Sequence, residues 1–392
     1  MRFRFLQTGQ NRDEAARQAV LNLMDSWWSA FGAKREELLA YFKNERPLDV
    51  AAWMQKHLQR IDERLMWEFG PGLKGGHRLV VTPEVHRELR PMVDTLIGRC
   101  PGYEGWEFYS SRPRESVELA RSILEARGLA QVDKTLVAVT PNEACRIDLA
   151  FYSKRHRGPE DHDALASAWV ASEVILGEAT LDVWIGDISV HKGKGKREGA
   201  VPLGEMQAAV DEAVARIQAG LPAEPFSASS VERMPWGLFE LQPRVRDEYP
   251  RRLDLRVAPS CHKVMLRAAQ DGTVFDSRRY SRFGELFVYV KTDGTVDLSG
   301  EKYADRGEMQ DAITEALEPR GLGAVVGGGT GLKYSYIDLA LADPDAGISA
   351  VVEAMRAGNM VKETWIQFFD ARYANEWVGI WDDSPLPPGM EA

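Results

Sequence analysis

Cys261 and His262 stand side by side in the chain, the one juxtaposition of a thiol and an imidazole that could suggest nucleophilic catalysis. A nucleophile and its base must meet in space, whereas neighbouring side chains on an extended strand point to opposite faces, so the pair reads as structural. Cys100, Cys145 and Cys261 are widely separated and form no CxxC. That is the pattern of reduced thiols in a cytoplasmic protein rather than of disulfides or a zinc site. His156 and His162 lie among acids and bases in Lys154–Asp163, which reads as a solvated loop entering a helix before it reads as a metal site. No catalytic residue, metal or cofactor is assigned.

Val325-Val-Gly-Gly-Gly-Thr-Gly331 places consecutive glycines where backbone N–H groups could turn toward an anion, with Gly328 and Gly329 at its centre. The segment lies between two expected strands and lacks GxGxxG, so a bulged hairpin accounts for it more simply. Asp276-Ser-Arg-Arg-Tyr-Ser-Arg282 follows Arg251, Arg252 and Arg256. Its Arg278, Arg279 and Arg282 could hold a carboxylate or phosphate through bidentate contacts, or pair with nearby acids. Asp148 and Asp338 are carboxylates of different units, and their spacing does not establish an acid–base pair. His191-Lys-Gly-Lys-Gly-Lys-Arg197 lacks the GxxxxGK[ST] order of a phosphate loop and reads as a surface loop.

The elements that must position these groups belong to an α+β chain. Its 392 residues are 44% hydrophobic and carry a net charge of −10. That charge disfavours nucleic acid as a partner, and no apolar run suggests a membrane span or a leader. Residues 1–70 form an N-terminal helical segment, with Val20, Met24, Trp27, Trp28 and Phe31 at helical spacing and Gly32 as the expected stop. Residues 71–221 form a first α+β unit, 222–237 a linker, 238–383 a second unit and 384–392 a tail without structure. In the first unit the expected order is strand 106–111, helix 116–127, strands 135–140 and 145–153, helix 163–176 and strand 181–190. The second repeats it as strand 285–291, helix 306–317, strands 322–326 and 333–341, helix 346–357 and strand 364–369. Ile147-Asp-Leu-Ala150 matches Ile337-Asp-Leu-Ala340, and Trp184-Ile185 matches Trp365-Ile366, at corresponding elements. The predicted fold is therefore two ferredoxin-like βαββαβ units with antiparallel sheets.

Leu176-Gly-Glu178 running into Trp184-Ile-Gly186 resembles a segment of uncharacterised bacterial proteins built from ferredoxin-like units, including the family of ribonuclease E inhibitor B. Some bacterial toxin-immunity proteins are similar in being acidic and apparently non-catalytic. The resemblance spans Gly105–Val190 and Gly284–Asp370, and it implies a fold and an inhibitor-type function.

Strand alternation assigns Leu286, Val288, Val290, Ile337, Leu339, Ile366 and Phe368 to the helix-covered face of the second unit. Tyr289, Lys291, Tyr334, Tyr336, Asp338, Trp365 and Gln367 take the opposite one. Residues 223–392 hold 19 Lys/Arg and 27 Asp/Glu, so this aromatic face sits in the more acidic half. The expected function is a non-catalytic protein-binding factor (an inhibitor, immunity-type protein or adaptor) recognising a basic protein through Tyr289, Tyr334, Tyr336, Asp338 and Trp365. The alternative is an inter-domain core in place of a surface. A different class of function, binding a small molecule or anion and extending to an enzyme, would use Gly327–Gly331 and Arg278–Arg282.

Overall fold

The computed structural model describes residues 11–129, 132, 134–193, 199–228, 234–244, 249–270, 274–295 and 302–390. The chain divides into two compact units: one runs through Ser111 and includes Arg372–Glu376, and the other comprises Arg112–Ala371 and Trp377–Met390.

In the first unit, α1 (Asn11–Phe42) continues through Gly32 without stopping. Its glycine serves close packing, because a Cβ there would stand 2.8 Å from the Tyr103 hydroxyl. Tyr103 in turn donates to the Trp28 carbonyl at 2.6 Å. The Asp49 carboxylate caps α2 (Val50–His57) by accepting the Ala52 N–H. Strands β1 (Met66–Pro71) and β2 (His77–Thr82) pair antiparallel, and α3 (Arg90–Gly98) leads to β3 (Trp106–Tyr109), which lies parallel to β2. Trp27, Trp28, Phe31, Met54, Leu79 and Leu96 share this unit's own core.

The second unit begins with α4 (Val117–Ala126), β4 (Leu136–Pro141), β5 (Ile147–Ser153), α5 (His162–Leu176), α6 (Glu178–Trp184), β6 (Ile185–Lys192), β7 (Ala200–Pro202) and α7 (Met206–Ala219). The sheet order is β6-β5-β4-β7, and β5 and β6 are parallel neighbours. A complete βαββαβ unit would hold a strand between them. The expected strand, 106–111, is instead β3 of the first unit, where Trp106 lies 5.0 Å from Phe31 and Phe108 lies 5.0 Å from Trp28. Burial of those rings outweighs the repeat, and the expectation of two ferredoxin-like units fails here. Leu181–Trp184 is also helical rather than extended, because Gly177, at φ +74°, breaks the helix and starts α6.

The rest of this unit comprises β8 (Gly237–Glu240), β9 (Leu255–Ser260), α8 (Lys263–Gln270), β10 (Leu286–Asp293), α9 (Arg306–Leu317), β11 (Gly323–Gly331), β12 (Tyr334–Leu341), α10 (Pro344–Ala357), β13 (Thr364–Phe368) and β14 (Trp377–Gly379). They form a seven-stranded sheet ordered β14-β13-β10-β12-β11-β9-β8. Its inner strands β13-β10-β12-β11 pair antiparallel throughout. Asp305 and Asp343 accept N–H groups at the starts of α9 and α10. The linker and the tail are packed where the sequence suggested loose chain. Phe226 is buried and donates its N–H to Glu285, and the Trp365 indole donates to the Pro385 carbonyl at 2.7 Å. The 229–233 part of the linker and the 194–197 part of the Lys-Gly tract lie outside the described residues. Among the described residues no single helix is long and apolar enough to cross a membrane.

Candidate functional site

The register aligns two rows of side chains across the seven-stranded sheet. Gln367, Tyr289, Asp338 and Gly327 form one, and Trp365, Lys291, Tyr336 and Gly329 form the next. Period-two alternation puts both rows on the face opposite Leu341, against which α10 packs at Gly347. This aromatic face is interior. The β9–α8 segment, Tyr249 and the tail residues Leu386 and Met390 join Tyr289, Tyr334, Tyr336 and Trp365 in one cluster. Tyr289, Tyr334, Tyr336, Asp338 and Trp365 are all buried, in a core formed within the second unit rather than the inter-domain core expected as the alternative. Large aromatic surface is removed from water by covering it, and the chain supplies its own cover.

That cover includes a tight loop, Pro250–Asp254. Arg251 adopts φ +53°, and its carbonyl accepts both the Lys291 ammonium at 2.9 Å and the Tyr336 hydroxyl at 3.3 Å. The Asp254 carboxylate accepts the N–H groups of Lys333 and Tyr334 at 2.9 Å each and also the Tyr336 hydroxyl. Between these anchors Arg252 points onto the sheet. Its guanidinium carbon stands 5.5, 5.4 and 5.1 Å from the ring centres of Tyr289, Tyr336 and Phe369, in the range of cation–π attraction. Arg252 NH1 lies 3.1 Å from Asp338 Oδ1 as a buried ion pair, and among the described residues neither side chain has a further hydrogen-bond partner. The Gln367 Oε1, in the same row across Tyr289, is also buried and has no partner among the described residues. Such groups are costly to leave unsatisfied.

Arg252 lines a cavity of about 300 Å³ with Arg244, Arg251, Tyr289, Phe275 and Phe369. Phe369 lies 5.3 Å from Phe275 and 5.0 Å from Tyr289, so the apolar walls are ring faces and edges. Burial raises the Asp338 carboxyl above the usual carboxylate range, against the pull of Arg252. Burial likewise lowers the Lys291 ammonium to about 7, although Asp254 favours its charged form. The arrangement is suited to holding a compact anion with a flat apolar part, since a guanidinium matches carboxylate and phosphate oxygens.

The other groups singled out from sequence are distributed differently. Gly328 and Gly329 lie inside β11, paired with Ile337 and Tyr336, after a bulge between Val325 and Gly327. They are extended strand positions rather than an anion-binding loop: a Cβ at Gly329 would run into Leu255, and one at Gly327 would stand 3.0 Å from the Asp338 carboxylate. Arg278 is held bidentately by Asp276, Arg279 is buried against the Ala144 and Val274 carbonyls, and Arg282 donates to the Pro222 carbonyl. These arginines do not converge on one ligand position because each has its own local acceptor. The Cys261 thiol donates to the Val326 carbonyl, and burial raises it to about 12. The His262 ring instead bonds the Tyr280 carbonyl and accepts the Met265 N–H at the start of α8. Asp148 accepts from Asn142 and the Asp187 N–H in the other sheet. His156 bonds the His191 carbonyl, and His162 opens α5.

Sequence reasoning noticed Arg252 only as one member of an arginine-rich stretch. The signal that could have singled it out is a cation placed between a positive-φ turn and an aromatic strand face. The chain matches no protein-family model, no curated protein and no solved structure, so the reading of this site rests on its own residues.

Proposed function

We propose that this protein binds a small carboxylate- or phosphate-bearing ligand with an aromatic or apolar body in the Arg252 cavity. The observation carrying the proposal is the buried Arg252 guanidinium, whose one polar partner among the described residues is the Asp338 carboxylate, at a ring-walled cavity of about 300 Å³. That size is at the lower end for small-molecule sites. The wider reading is a ligand-responsive binding protein whose second half is one ferredoxin-like unit extended by β8, β9 and β14. Three free cysteines fit a reducing cytoplasm. A protein partner docking on Tyr289, Tyr334, Tyr336, Asp338 and Trp365 would require the Pro250–Asp254 loop and the tail to lift away, so their burial favours the ligand.

A thermal-shift and calorimetric screen with benzoate, phenylacetate and phenyl phosphate tests this. The wild type should be stabilised progressively as ligand concentration L rises above Kd, following RT ln(1 + L/Kd). Arg252→Gln/Asp338→Asn, which removes both charges together, should remain folded and lose the response. Absence of binding to the wild type, or equal binding by the double variant, would overturn the proposal.

A further inference from the structure

A second cavity, of about 600 Å³, lies in the four-stranded half of the same unit, remote in sequence from the Arg252 loop. Its polar lining is cationic, with Arg121 from α4, Lys134 ahead of β4, and Lys154 and Arg155 following β5. No carboxylate is among its described lining residues, in a chain whose net charge is −10. Lys134, Lys154 and Arg155 are exposed, and none forms an ion pair among the described residues. Three like charges gathered at one cavity repel one another, and an anion would relieve the repulsion.

The floor is built rather than loose. Tyr152 is buried beneath the cavity, and its ring lies 5.0 Å from that of its strand partner His191, at an interplanar angle of 19°. The His191 ring is fixed by Ser189 at 3.1 Å. Thr135, also buried, lines the cavity and has a hydroxyl without a hydrogen-bond partner. Lys134 holds φ +60°, a backbone state that L-residues rarely adopt and that is commonly retained at ligand sites. Leu203 and Gly204, in the turn preceding α7, also line the cavity.

We infer that this cavity binds a small ligand carrying two or more phosphate charges, with Lys154, Arg155 and Lys134 as its cationic clamp and Thr135 as a hydroxyl donor. The cavity's volume and the acidic chain around it favour a small molecule over a nucleic-acid strand.

Calorimetric titration of the full chain with pyrophosphate and with ADP tests the inference, using single-stranded RNA as the competing macromolecule. Both small probes should bind the wild type, with affinity falling as salt rises. Lys154→Ala/Arg155→Ala changes exposed side chains only and should weaken both at least tenfold. Thr135→Val should weaken them by a smaller factor. Failure of both small probes to bind would overturn the inference, as would undiminished binding by the lysine–arginine variant or tighter binding of RNA than of either probe. None of these outcomes alters the test of the Arg252 cavity.

Discussion

Arg252 NH1 lies 3.1 Å from Asp338 Oδ1, and both side chains are buried against the aromatic face of the seven-stranded sheet. A buried pair of this kind adds little net stability, because desolvation of both charges offsets their attraction. In the proposed site it would hold a guanidinium ready beneath the cavity. Asp338 therefore competes with any anion that enters.

Asp338→Asn keeps the side-chain volume and removes that competition. Binding of benzoate or phenyl phosphate should tighten about tenfold, equivalent to about 1.4 kcal/mol. Calorimetric titration of variant and wild type at equal salt measures the difference. Unchanged affinity would show that the guanidinium does not face the ligand.

Lys291 makes folding pH-dependent in a defined direction. Its ammonium is lowered to about 7 in the folded chain, so between there and its ordinary value of about 10.5 the unfolded chain binds more protons. Its burial therefore destabilises most below about pH 7, and the penalty fades as pH rises toward about 10.5. Lys291→Met should gain stability relative to wild type most in acid, with the difference shifting by several kcal/mol across that window. Urea denaturation of both chains at several pH values reports it, and parallel pH profiles would refute the assignment.

Gly329→Ala should destabilise the protein by about 1–3 kcal/mol, since the new methyl group meets Leu255 on the neighbouring strand. Gly98→Ala is the control, because a Cβ there has open space. Thermal unfolding of the two variants should separate them clearly, and equal melting temperatures would count against the close packing of β9 on β11.

Cys261 should resist alkylation in the native state, because its thiol is buried, bonded to the Val326 carbonyl and raised to about 12. Iodoacetamide labelling followed by peptide mass analysis should modify Cys261 only after denaturant is added. Rapid native labelling would place the thiol in a different environment.

Much of the element order was legible from spacing and caps. The helix Arg306–Leu317 occurs with the limits expected, and strand alternation correctly grouped Tyr289, Lys291, Tyr336, Asp338 and Trp365 on one face. These are local properties: a cap, a run of β-branched residues and a period of two are each written within a few consecutive positions. What covers that face was not legible, because β9, α8, the Arg252 loop and the tail carry weak local signals and acquire their places by contact with distant strands. The same limit misassigned strand 106–111, whose rings find their partners in the helices of the first unit. Sequence periodicity thus determined which side of each strand would need burial. Only tertiary packing decided what would bury it, because apolar contact is non-directional and is won by whichever distant segment fits.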